Sequence, residues 1–292
     1  MNGWLLVNSF LNAEKYKEIY TLLQTAAKKR GAELALKTNV LGEITEDNAF
    51  RDLPDFVLFW DKDILLARRL ERLGVRLFNS ASAVEICDRK RLTALSLLDA
   101  NLPMPKTVLA PKTFDGVGYN DLSFLTSAEE KLGFPMIVKE DCGSFGKQVY
   151  LVSDRKALEN TVKSFGAKEF LMQEFIAESR GKDVRVNVVG DRAVSAILRV
   201  NDKDFRSNIS GGGRAQRYTP TAEEVSLAVR AAKACGLDFA GVDILFGKNG
   251  PLVCEVNSNP HFKSTLDCTG QDLSEDIMEY VLKKLGNRRG KA

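Results

Sequence analysis

The 292-residue sequence predicts an α/β protein in two parts, a small N-terminal parallel sheet with helices on it and a longer run of hairpins and helices. Three observations carry this. Between residues 4 and 78, short apolar strands and amphipathic helices follow the order β-α-β…β-α-β, which implies parallel strands. After the prolines of NLPMP, strands instead return on themselves through glycine-bearing turns. Near the C-terminal end, DFAGVDILFGKNGPLVCEVNSNPHF reads as a hairpin of two apolar strands carrying carboxylates on one face.

Residues 4–7 form the first strand. Residues 16–30 place Tyr16, Ile19, Tyr20, Leu23, Ala26 and Ala27 at helical spacing and stop at Gly31. Residues 33–37 alternate as a second strand, and the continuous apolar run 56–60 marks a buried one. A helix at 63–73, ended by Gly74, leads to a strand at 75–78. No GxGxxG motif accompanies these elements, so a dinucleotide site has no support; residues 1–86 read as a structural or substrate-side domain.

The second domain is expected over residues 87–286, with 287–292 as a solvated basic tail. Helices are predicted at 88–100, 122–132, 154–164, 221–235 and 272–285, with Thr221 and Glu224 forming a capping box. Strands are predicted at 106–109, 134–139, 149–152, 169–175, 183–189 and 193–199, and 201–217 as a long polar loop. The tip DCGSFGKQ (141–148) is not a Walker A loop, because Asp141 stands where its first glycine belongs and Gln148 where Ser or Thr belongs. Its free backbone N–H groups, at Gly143 and Ser144 among others, could still lie over phosphates; most glycine tips are only turns.

In the C-terminal hairpin, a three-residue turn at Lys248-Asn249-Gly250 sets Phe246 opposite Leu252, Leu245 opposite Val253 and Asp243 opposite Glu255. Asn257 follows Glu255 on the same face. Opposed carboxylates repel, and neither strand carries a Lys or Arg that alternates with them. Two readings are open: a solvated face, or a hard divalent cation on oxygen ligands, which the spacing favours.

Composition narrows the partners. The chain is 44% apolar and 28% charged with a net charge of +3, which points away from nucleic acid or an anionic membrane. Five cysteines without a CxxC and a single histidine, His261, argue against zinc and for reduced thiols. No apolar run reaches the roughly 18 residues of a membrane span. The first ten residues lack a basic n-region, so a cytoplasmic protein is expected.

Polar groups collect at strand ends: Lys139 closes FPMIVK, Glu174 closes FLMQE, and Asp183 and Arg185 open DVRVNVV. Lys139 alone could be a snorkelling side chain, and Glu174 a surface strand end. Together with a metal site and a phosphate-type tip they suggest a nucleotide site.

The stretches DRKRLTALSLLDANLPMP, FPMIVKEDCGSFGKQV, LMQEFIAESRGKDVRVNVVGD, DFRSNISGGG and AGVDILFGKNGPLVCEVNSNP resemble, in order, the RimK-type ATP-grasp carboxylate–amine ligases. The resemblance implies a two-subdomain ATP-grasp (α+β) fold after a small α/β domain. It also implies ATP and Mg2+ as cofactors, with two metal ions and Mn2+ as an admissible substitute. By it, Lys90 and Lys139 meet the phosphates, Glu174, Phe175 and Ile176 line the adenine, and Asp183 takes the ribose. Arg206, Ser207 and Asn208 face the phosphate end, with Arg206 and Lys139 as catalytic groups, and Asp243, Glu255 and Asn257 hold the metal. Arg185 either binds phosphate or forms an ion pair with Asp183 or a neighbouring Glu, and His261 either touches substrate or is a loop residue.

The implied reaction is amide formation through an acyl phosphate, with L-glutamate as the favoured amine, a small-molecule or peptide carboxylate as acceptor, and a homo-oligomer as a possible assembly. Two segments depart from the family pattern, Ile209–Gly213 and Ser258–Gly270, and these border the expected acceptor site. The alternatives are a ligase that modifies a precursor peptide and a non-catalytic nucleotide-binding scaffold.

Overall fold

The computed structural model describes residues 1–11, 13–41, 53–144 and 146–289. Phe145 of the glycine tip and tail residues 290–292 lie outside the described residues. The first part contains β1 (Asn2–Val7), α1 (Glu14–Lys29), β2 (Glu33–Thr38), β3 (Phe56–Trp60), α2 (Ile64–Arg72), β4 (Arg76–Phe78), α3 (Ala81–Asp88) and α4 (Lys90–Asp99). There follow β5 (Thr107–Leu109), α5 (Phe124–Leu132), β6 (Met136–Glu140), β7 (Val149–Val152), α6 (Arg155–Ser164) and β8 (Phe170–Glu174). The last part holds β9 (Lys182–Val189), β10 (Arg192–Val200), β11 (Arg214–Arg217), α7 (Ala222–Ala234), β12 (Phe239–Gly247), β13 (Gly250–Asn257), α8 (Lys263–Thr269) and α9 (Leu273–Arg289).

The first sheet is parallel, in the order β2-β1-β3-β4, as the alternating pattern requires. Every residue of β3 is buried, in keeping with an apolar run that has a packed layer on each face. The other two sheets are antiparallel, β5-β8-β6-β7 and β11-β10-β9-β12-β13.

The N-terminal sheet shares its core with the C-terminal hairpin. Trp60 stacks on Phe239 with ring centroids 5.4 Å apart and meets Phe262 edge-on at 6.1 Å. Buried Asn79 joins the same parts: its Nδ2 donates to the carbonyls of Phe239 and Ser258, and its Oδ1 accepts from the amide of Asp238. α9 lies against α1, and Glu275 pairs there with Lys29 and Arg30.

Three elements escape the sequence pattern. α3 precedes the predicted helix and is separated from α4 by one extended residue, Arg89; Ser80 caps its N-terminus. α8, KSTLDCT, is short and poor in strong helix formers, and tertiary contact sustains it, with Thr265 buried against Asn187. β11, RAQR, is a polar edge strand without alternation, paired to β10.

The hairpin register differs from expectation near its turn. Lys248 and Asn249 alone form the loop, so Gly247 faces Gly250, Phe246 faces Pro251 and Leu245 faces Leu252. A bulge at Cys254 then restores the expected pair, Asp243 opposite Glu255.

Candidate active site

A cleft partly open to solvent is lined from one side by the β5-β8-β6-β7 sheet and from the other by strands of the five-stranded sheet. The bulge shapes its floor. Neighbours on a regular strand point to opposite faces, yet Cys254 and Glu255 both line this cleft.

Lys139 projects from β6 across the cleft, 8% exposed, and its Nζ approaches Cys254 Sγ at 3.7 Å. Burial pushes the Cys254 thiol up, opposed by the nearby Lys139 charge, so the sulfur stays a neutral neighbour. Lys90 opens α4, and its Nζ donates to the carbonyl of Gly143 at 3.2 Å, which ties the helix start to the glycine tip. Gly143 and Ser144 line the cleft, and Lys62, in the segment between β3 and α2, reaches Ser144 Oγ at 3.3 Å.

Glu174, Phe175 and Ile176 line the cleft. The Glu174 carboxylate accepts from the Lys106 amide at 2.8 Å, so it fixes the turn into β5. Arg206, Ser207 and Asn208 also reach the cleft. The Arg206 fork grips Asp204 and donates to the Gly146 carbonyl at 2.7 Å, holding the glycine tip from the far side.

The electrostatic premise of the hairpin is corrected by the neighbouring strands. Asp243, 2% exposed, pairs with two arginines, neither on its own hairpin. Arg185 of β9 stands opposite it in register and holds it with Nε and, at 2.8 Å, Nη2. Arg199 of β10 donates Nη2 to the same carboxylate at 2.9 Å. Burial alone would raise the Asp243 carboxyl; the two guanidiniums outweigh it and hold the group below its ordinary value. Arg199 is itself buried, which disfavours its charge, but Asp183 and Asp243 keep it firmly protonated.

Asp183 lines the cleft with its carboxylate engaged: it accepts from Arg199 Nε at 2.7 Å and from Ser207 Oγ at 2.6 Å. Arg185 pairs with Asp243, not with Asp183 or a neighbouring Glu as the sequence suggested. Arg199 went unnoticed in the sequence. Its one signal is an arginine in an otherwise apolar strand, AVSAILRV, which in register faces Asp183.

The metal residues differ among themselves. Glu255 makes no hydrogen bond or ion pair with the described residues, and Asn257 donates Nδ2 to the Gly241 carbonyl at 3.2 Å, which leaves Oδ1 as its ligand atom. Both offer the hard oxygen that Mg2+ takes. Asp243 fits with a condition: a cation must share its oxygens with Arg185 and Arg199, or displace one of them. Among the described residues no three His, Cys, Asp or Glu side chains cluster as a metal site. Asn257, opposite Gly241 and two residues beyond Glu255, is not among the residues that line the cleft.

Residues 88–281 match the RimK-like ATP-grasp domain family. A probable alpha-L-glutamate ligase 1 of Shewanella frigidimarina is 38% identical over 239 residues, 80% of this chain and 76% of that protein. Human N-acetylaspartylglutamate synthase A is 32% identical over 277 residues, 91% of this chain and 68% of that protein. Among solved structures, a RimK domain ATP-grasp protein from Sphaerobacter thermophilus superposes with a TM-score of 0.73 over 94% of this chain and 98% of that one. At 21% identity that likeness speaks for the fold.

Proposed function

The chain belongs to the RimK-like ATP-grasp family and is an ADP-forming ligase, and from that premise we propose that it joins the amine of L-glutamate, or of a similar amino acid, to a small-molecule or peptide carboxylate. The observation that carries this reading is the meeting, in one cleft, of Lys139 and Lys90 with the Asp243–Glu255 pair beneath a glycine tip. Such a cleft collects cations around phosphates and contains no Ser/His or Cys/His nucleophile pair among the described residues.

In the first step an acceptor carboxylate oxygen takes the γ-phosphoryl of ATP, giving an acyl phosphate and ADP. The amine nitrogen then bonds to the acyl carbon as inorganic phosphate leaves, and the amine gives up a proton. Lys139 and Lys90 neutralise phosphate oxygens as point charges. Glu174, Phe175 and Ile176 border the base and Asp183 the sugar. Arg206 holds the glycine tip over the phosphates, with Ser207 and Asn208 at the phosphate end, and the closed tip keeps water from the acyl phosphate. Mg2+ on Glu255, Asn257 and Asp243 would offset charge on the outer phosphates.

The test is mass spectrometry of cell extract, and of defined carboxylates and peptides, incubated with the protein, ATP, Mg2+ and labelled glutamate, with ADP release followed in parallel. Labelled amide and equimolar ADP are expected. Absence of ADP release with every carboxylate–amine pair, together with unaltered nucleotide affinity in Asp243→Ala, would count against the ligase reading.

A further inference from the structure

We infer that the carboxyl ends of β1 and β3, with the segment after the metal strand, form a second binding site that takes the ammonium group of the amino-acid substrate on Asp61 Oδ2 and Asn259 Oδ1. The inference rests on the ligase reading for the identity of the ligand, and on geometry alone for the site.

The parallel sheet has the order β2-β1-β3-β4, so the chain leaves β1 toward one edge and β3 toward the other. The point between β1 and β3 is therefore where strand order reverses, the place at which open parallel sheets bind ligands beyond their carboxyl ends. Asn8 follows β1 and Asp61 follows β3, side by side because Val7 pairs with Trp60. Asn8 Nδ2 donates to Asp61 Oδ1 at 3.1 Å, and the Lys62 amide donates to the same oxygen at 2.7 Å.

The other Asp61 oxygen, Oδ2, is buried and has no hydrogen-bond partner among the described residues, in a residue 5% exposed. Asn259 meets Asp61 from the grasp side, where its Nδ2 donates to the Asp61 carbonyl at 3.0 Å. That bond fixes the amide, and Asn259 Oδ1, also buried, has no partner among the described residues. Ser9 Oγ, after β1, and His261 Nε2, after the metal strand, are likewise buried without a partner among the described residues. Orphaned buried polar atoms are uncommon, and each calls for a group that completes it.

Asp61 Oδ2 and Asn259 Oδ1 are both oxygens, and burial pushes the Asp61 carboxyl up; a cationic donor with more than one N–H would satisfy both and offset the burial of the carboxylate. Both flanks lead to the phosphate end of the cleft. Asn259 lies two residues beyond Asn257, and Lys62, next to Asp61, touches Ser144 of the glycine tip. An amino acid held here by its ammonium presents its nitrogen beside the reaction site. Asp61 and Asn259 are thus positioning residues that select an amine.

The test is calorimetric titration of L-glutamate, and separately of N-acetyl-L-glutamate, into the full chain with a non-hydrolysable ATP analogue and Mg2+. Binding of L-glutamate at least tenfold tighter than of its N-acetyl derivative is expected, with that preference lost in Asp61→Asn and weakened in Asn259→Ser, while affinity for the ATP analogue is unchanged. Unchanged ATP-analogue affinity shows each variant folded, and two variants guard against one failing. Equal binding of both ligands, no binding of L-glutamate, or an unaltered preference in both variants overturns the site. Asp61-dependent glutamate binding without amide product leaves the site standing and removes the ligase reading; amide product with an unaltered preference does the reverse.

Discussion

Arg185 stands across the β9–β12 ladder from Asp243 and closes its carboxylate with two guanidinium nitrogens. Gly241, two residues earlier on β12, makes this possible: a Cβ there would lie 3.1 Å from the Arg185 Cδ and Nη1. Arg199 alone already bridges Asp183 and Asp243. Arg185 is therefore the second cation on Asp243, and a metal ion there would have to share the carboxylate with both arginines or displace one of them.

Replacing Arg185 by Met leaves Asp243 buried with one cation. Loss of one member of a buried pair costs on the order of 3–5 kcal/mol, and unfolding in urea should show a loss near the lower figure because Arg199 remains. In a double-mutant cycle with Asp243→Asn, the two losses should fall short of additive by more than about 1 kcal/mol. Strict additivity would mean the fork contributes nothing.

Glu255→Gln should leave the thermal midpoint of the ligand-free protein within a degree or so, because Glu255 pairs with nothing among the described residues. The same change should raise the Mg2+ concentration needed for half-maximal ADP release by roughly tenfold or more. A lowered midpoint with an unaltered Mg2+ titration would place Glu255 in the scaffold instead.

Lys139→Met keeps the buried stem and removes the charge. ADP release should fall by on the order of a hundredfold, as when one fixed donor to developing charge is removed. Arg206→Ala frees the Gly146 carbonyl and with it the glycine tip. Its signature should be ATP hydrolysis uncoupled from amide formation, read as the ratio of ADP to product.

The α1–α9 contact should weaken in acid. Lys29 and Arg30 hold the Glu275 carboxyl below its ordinary value. A depressed carboxyl contributes stability that is fully present above its unfolded value near 4.5 and is lost as pH falls through the folded one. The half-exposed geometry limits the effect to about 0.5 kcal/mol. Wild type and Glu275→Gln should therefore differ in unfolding free energy at pH 7 and converge near pH 3; a constant difference would assign the effect to packing.

Local chemistry wrote much of this protein into its sequence. The period of α1, the buried run of β3, the Thr221–Glu224 capping box and the facing of Asp243 with Glu255 all depend on residues close in the chain or joined by a short turn, and each is found in the fold. Short elements held by partners far away were not legible: α8 has weak helix formers, and β11 is a strand only because β10 lies beside it. The charge balance was legible least of all. From the hairpin alone Asp243 lacked a cation, yet Arg185 and Arg199 reach it from strands 58 and 44 residues earlier, a distance the ladder of β12, β9 and β10 removes. Sequence determined that Asp243 and Glu255 share one hairpin and one face, because strand pleat is local, whereas the two-residue turn and the compensating bulge at Cys254 belong to the folded ladder. Tertiary structure decided which of the two carboxylates is neutralised, because a buried charge is settled by whatever the sheet brings within a few ångströms.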